Sequence, residues 1–143
     1  MKLSEDVLKV LEGNHLLAYL STANKEGQPS ARLVGAVPSE DLTKIYVGNG
    51  RLNKAAKDPS QNKRAMFVVY DSRENVFDIR GFQVECEFVE DIRDKENPIF
   101  KAVYDGTEEA VSKEEAELLK SVYIFNVKRI YDCSMDGGGE IVS

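Results

Sequence analysis

The chain has no tryptophan, a single histidine and only two cysteines in 143 residues, and each scarcity removes a class of chemistry. Cys86 and Cys133 lie far apart, so they do not form a disulfide scaffold, and neither belongs to a cluster with zinc-ligand spacing. Cys86 sits in an alternating strand pattern and reads as a small buried hydrophobe. His15 opens an apolar strand and reads as structural, and nothing in the chain suggests Ser-His-Asp or Cys-His hydrolysis. Long apolar runs are also missing. None approaches the ~20 residues that a membrane span needs, and residues 1–13 are too charged for a signal peptide. The expectation is a cytoplasmic protein with no membrane partner. A basic excess is missing too: the net charge of −6 argues against nucleic acid as the main partner.

What is present is ordinary for one globular domain, with 42% hydrophobic and 31% charged residues. The domain is expected to span 1–143, with 131–143 as a flexible tail. Charge is unevenly spread. Between Asn49 and Arg64 stand Arg51, Lys54, Lys57, Lys63 and Arg64 against a single acid, Asp58. A local basic patch on an acidic chain suggests a small anionic ligand, the alternative being a solvated helix face.

Periodicity predicts a short amphipathic helix over 4–12, with Ser4 as N-cap and Gly13 as the stop. A strand over 15–22, a turn at Asn24–Gly27 and a strand over 30–37 form a hairpin. On the second strand Ser30, Arg32, Val34 and Ala36 share one face and Ala31, Leu33, Gly35 and Val37 the other. Neither face is polar enough to stand in water, so one should line a core and the other should be covered. A third strand over 42–48 ends in Gly48-Asn49-Gly50, where the backbone can approach a neighbour closely. A helix over 51–57 follows, and its free N–H groups beside Lys54 would make an anion site. A fourth strand covers 64–70. Within 76–90 the apolar phase slips across Arg80-Gly81, predicting a bulge or bend in one long strand. Helices are expected over 94–104 and 112–120, then a strand over 122–131. Residues 136–140 read as a mobile Gly-rich tail. The order indicates an α+β domain on a small antiparallel barrel.

Gly27-x-Pro29-x-x-Arg32-x-Val34 matches the strand motif G-x-P-x-x-R-x-V of the pyridoxamine 5′-phosphate oxidase-like family. Residues 17–22 resemble that family's first strand, 45–54 its third strand and phosphate-binding turn, and 79–81 the start of its long bent strand. The resemblance covers roughly residues 5–130. It implies a six-stranded antiparallel split β-barrel with short flanking helices, an obligate homodimer, and FMN in clefts between the subunits. It places Arg32 on the FMN phosphate and the backbone of Leu33 and Val34 beside the flavin. Val47, Gly48 and Asn49 would pass next to the cofactor. Lys54 aligns with the lysine of a Ser-Arg-Lys turn and Asn53 with its arginine, a departure for which Arg51 would compensate. The glutamine that contacts flavin in the family is replaced by Val76, and the C-terminal Arg-x-His of the vitamin B6 enzymes is absent. The resemblance is therefore to the short, nitroimidazole-reductase-like members and not to a true pyridoxamine phosphate oxidase. It implies an FMN-dependent oxidoreductase acting on a small molecule, the catalytic residues being unassigned. The alternatives are a non-catalytic carrier of flavin, deazaflavin or haem, and a structural dimer with an empty pocket.

Overall fold

The computed structural model describes residues 1–50, 59–60 and 62–141. Helix α1 (Glu5–Gly13) starts where expected, with the Val7 N–H donating to Ser4 Oγ at 3.3 Å. Its Val7, Val10 and Leu11 are buried, so it plugs the barrel. The chain then turns through His15 and Leu16, both in the left-handed region at φ 58° and 61°. Strand β1 (Leu17–Ala23) accordingly starts two residues later than expected, and His15 is exposed outside it.

β1 pairs antiparallel with β2 (Pro29–Gly35) and, on its other edge, with β5 (Arg64–Tyr70). β2 breaks at Ala36, whose N–H donates to Leu16 O, and resumes as β3 (Val37–Pro38). β3 pairs with β4 (Lys44–Asn49). The remaining long strands are β6 (Gly81–Ile92) and β7 (Ser121–Asp132), and the sheet order is β2-β1-β5-β6-β7-β4-β3. Its two ends, β2 and β3, are successive pieces of one interrupted strand. The sheet therefore closes on itself through that strand and splits where the strand changes neighbours. This is the α+β split barrel expected from the sequence. Counting β2 and β3 together gives its six long strands, to which a short strand is added.

Several boundaries differ from the sequence reading. The phase slip at Arg80-Gly81 is not a bend within one strand. Residues Val76–Asp78 form a single 3-10 turn, capped by Asn75 Oδ1 accepting from the Phe77 N–H, and β6 begins at Gly81. The register irregularities lie further on, between Glu85 and Cys86 and between Phe88 and Glu90, where β6 pairs with β7. Helix α2 (Pro98–Ala110) starts later and runs longer than expected, because Asn97 caps it and Pro98 occupies its first turn. Helix α3 (Lys113–Glu117) is shorter, and Ser112, the first residue of the expected span, caps it by accepting from the Glu115 N–H at 3.1 Å. The Gly-rich tail folds back, and β8 (Gly139–Ile141) pairs with β7. The helix expected over 51–57 falls outside the described residues.

Two apolar clusters hold these elements. One fills the barrel and includes Leu11, Val34, Val47, Phe67, Val84 and Phe125. Phe67 and Phe125 meet edge to face at 5.4 Å between centroids, worth ~0.5–1.5 kcal/mol beyond burial. The other lies under the helices and joins Phe100, Val103 and Leu119 to Val122 and Ile124 of β7. β7 serves both because its alternate residues face opposite ways.

Candidate functional site

On β2, Val34 and Ala36 are buried and Arg32 half-buried, whereas Ala31, Leu33 and Gly35 are exposed. Arg32 therefore points to the barrel side of its strand, paired across from Leu20, which is buried. Its Nε and Nη1 are buried and have no hydrogen-bond partner among the described residues. A guanidinium that has lost water and gained no acceptor is costly, because a buried charge is tolerated only when paired. Such a fork is completed by an anion with oxygens at the right spacing.

The β3–β4 register pairs Val37 with Tyr46 and Pro38 with Ile45. β2 and β4 do not pair but approach each other directly. Arg32, Leu33 and Val34 thus stand on one of two neighbouring strands, and Val47, Gly48 and Asn49 on the other. Arg51, Asn53 and Lys54, which belong to the same expectation, lie outside the described residues.

The side chains at these positions are largely committed elsewhere. Val34 and Val47 are core residues. A Cβ on Gly48 would stand 2.6 Å from Leu119 Cδ2, and one on Gly50 3.2 Å from Leu118 O. The close approach foreseen at Gly48-Asn49-Gly50 is therefore made to the segment after α3. Asn49 Nδ2 donates to Ser121 Oγ at 3.1 Å, and its carbonyl accepts from the Lys120 N–H at 2.8 Å. What this end of the barrel still offers is the Arg32 fork, the exposed Leu33 and strand backbone.

The other face of β2, β1 and β5 carries a feature that strand patterning only hinted at. Leu17, Tyr19, Leu33 and Tyr70 are 42–48% exposed. Tyr19 pairs with Leu33 on one side and Val68 on the other, so these residues form one apolar surface. At its edge a cavity of about 330 Å³ lies among Asn14, His15, Tyr19, Tyr70 and Ser72. Asn14 Nδ2 donates to the Tyr70 carbonyl, tying the end of α1 to this face. His15 lines the cavity instead of filling a strand position. The signal was legible in part: residues 16–20 and 65–70 are apolar on both faces, more than one core requires. Val76, at the position of the family's glutamine, is 53% exposed on the 3-10 turn beside Phe77 at 57%. Cys86 is buried as expected, and burial pushes its thiol up to about 12.

Comparison with solved structures decides the fold. An FMN-binding protein from Syntrophomonas wolfei subsp. wolfei superposes with a TM-score of 0.74 at 16% identity, covering 89% of this chain and 83% of that one. HutZ, the haem storage protein from Vibrio cholerae, gives 0.65 at 15% identity, covering 98% and 97%. An F420 reductase gives 0.57 at 12%, covering 80% and 88%. The fold is that of the FMN-binding split barrels. No family model matches the sequence, and no curated protein does. Split barrels of this kind hold different cofactors, so the chemistry of this chain rests on its own residues. No helix among the described residues is long and apolar enough to cross a membrane.

Proposed function

We propose that this chain is a dimeric flavoprotein that binds FMN with its phosphate on Arg32 and passes electrons to a small molecule. The observation that carries this reading is the half-buried Arg32, whose Nε and Nη1 are buried and unpartnered among the described residues. A phosphate monoester near two negative charges supplies the oxygens that such a fork accepts bidentately. The cations at 51 and 54 follow β4 in the sequence, and in this reading they join Arg32 on the phosphate. A deazaflavin also presents a phosphate, and the fold neighbours' names include F420 and haem besides FMN. When bound, the flavin supplies the redox chemistry, and the protein supplies position and charge.

The second copy has a place to sit. The apolar surface of Leu17, Tyr19, Leu33 and Tyr70 spans Arg32's own strand and the two that follow it in the sheet, and faces away from the barrel core. Covering it with a second copy removes it from water and sets the cofactor close to the subunit boundary.

The test is an absorption spectrum after incubation with FMN and desalting, compared between the wild type and Arg32→Ala. Flavin retained by the wild type and lost by the variant supports the site. Colourless wild-type protein removes FMN, and the same measurement with F420 and haem then decides between those cofactors. Equal retention in both proteins means the phosphate is held elsewhere.

A further inference from the structure

Away from the barrel's split, α2 and α3 flank an open cavity of about 480 Å³. Phe100, Ala116 and Leu119 form its floor and are 3%, 0% and 7% exposed. Tyr104, one turn after Phe100, brings a second ring to the wall, so the interior is apolar and aromatic. The mouth is charged, and unevenly so. Lys95, just before α2, and Lys101, in its second turn, stand towards one end, and Asp105 lies one turn beyond Lys101. Lys95 has no ion-pair partner among the described residues, whereas Lys101 Nζ is 3.1 Å from Glu96 and remains 58% exposed. An apolar bed of this volume with a few polar groups at its edge is the form taken by small-molecule sites.

We propose that this cavity binds a small aromatic monocarboxylate, its ring on Phe100 and Leu119 and its carboxylate towards Lys95 and Lys101. The carboxylates of Asp105 and Glu117 on the remaining rim disfavour a second negative charge and orient the ligand. The site is also joined mechanically to β4. Leu119, part of the floor, packs over Gly48, and the Lys120 N–H holds the Asn49 carbonyl. Displacement of Leu119 by a ligand is therefore felt at the last residues of β4. The proposal is independent of which cofactor the barrel holds.

The test uses 4-fluorobenzoate with the full chain, followed by fluorine line shape and by amide nitrogen–proton spectra. Binding is expected to saturate with Kd of about 1 mM, ordinary for a ligand of this size. Amides of residues 100–105 and 116–119 should move, and those of 48–50 should follow. The double variant Lys95→Glu/Lys101→Glu changes only exposed side chains and should weaken binding about tenfold. Neutral 4-fluorobenzamide should bind the wild type more weakly than the acid does. Equal affinity of the wild type and the double variant overturns the proposal, as does a shift map centred on Tyr19 and Tyr70. Movement of the cavity amides with 48–50 unchanged overturns the link to β4.

Discussion

Replacing Arg32 by methionine separates a structural arginine from a ligand-binding one. Methionine keeps an unbranched stem of similar length and removes every donor. A buried donor left unsatisfied costs ~1–3 kcal/mol, and Nε and Nη1 are both in that state. Without cofactor, Arg32→Met should therefore stabilise the protein by about 2 kcal/mol, raising Tm by about 4–8 °C for a chain of this size. With cofactor the order changes. FMN at 100 times its Kd adds ~2.7 kcal/mol to the wild type. Loss of charge-assisted hydrogen bonds worth ~1.5–3 kcal/mol weakens binding ~10–150-fold. The variant then gains about 0.3–1.4 kcal/mol at the same FMN concentration. The expected result of thermal scans at fixed protein concentration is a variant that melts higher without FMN, with the gap closing as FMN is added and inverting where affinity has fallen more than about 30-fold. A variant that melts lower than the wild type without FMN, and shifts equally with it, would refute the reasoning. Arg32 would then be an ordinary structural residue.

Further outcomes follow from other contacts. Gly48→Ala places a Cβ 2.6 Å from Leu119 Cδ2 and should cost ~1–3 kcal/mol in urea unfolding. Leu119→Ala in the same chain should recover part of that loss, so the pair is non-additive. Tyr19→Glu and Leu33→Glu both change exposed residues on the outer sheet face and should convert a dimer to a folded monomer in sedimentation velocity. A dimer that persists in both variants places the subunit contact elsewhere. Asp41 accepts hydrogen bonds from the Thr43 N–H, Thr43 Oγ1 and Ser39 Oγ, and these, Thr43 first, lower its pKa from 3.8 to about 2. Its folded pKa lies below its unfolded one. Its contribution to stability is therefore full above about pH 4 and is lost as pH falls towards 2. Asp41→Asn should flatten that part of the acid limb in denaturation curves taken between pH 5 and 2.

Two helix starts were legible in the sequence because caps are local, whereas the Asn97 cap of α2 was not read. Ser4 and Ser112 accept from N–H groups three residues on, a geometry fixed by the neighbouring backbone alone. The alternation of β2 was legible for the same reason, and it put Arg32 on a definite face. The phase slip at Arg80-Gly81 was seen, but its cause was not. A change of apolar phase is equally consistent with a bulge and with a short turn, and Asn75 capping Val76–Asp78 decided for the turn. The Gly-rich end was taken as mobile because its sequence has no strand pattern of its own, whereas pairing with β7 supplies the order.

By itself, then, the sequence determined which residues could build strands, where α1 and α3 begin, and that an arginine strand precedes a set of cations along the chain. Local backbone preferences and the two-residue period of a strand suffice for that. Only the tertiary structure decided that β2 and β3 close the sheet and that Arg32 Nε and Nη1 are buried with no partner among the described residues. It also decided that Gly48 makes room for Leu119. These are contacts between residues far apart in sequence, such as 48 with 119 and 46 with 124, and they exist only once the barrel has closed. A charge becomes a binding site by being buried and left unpaired, and burial belongs to the whole fold.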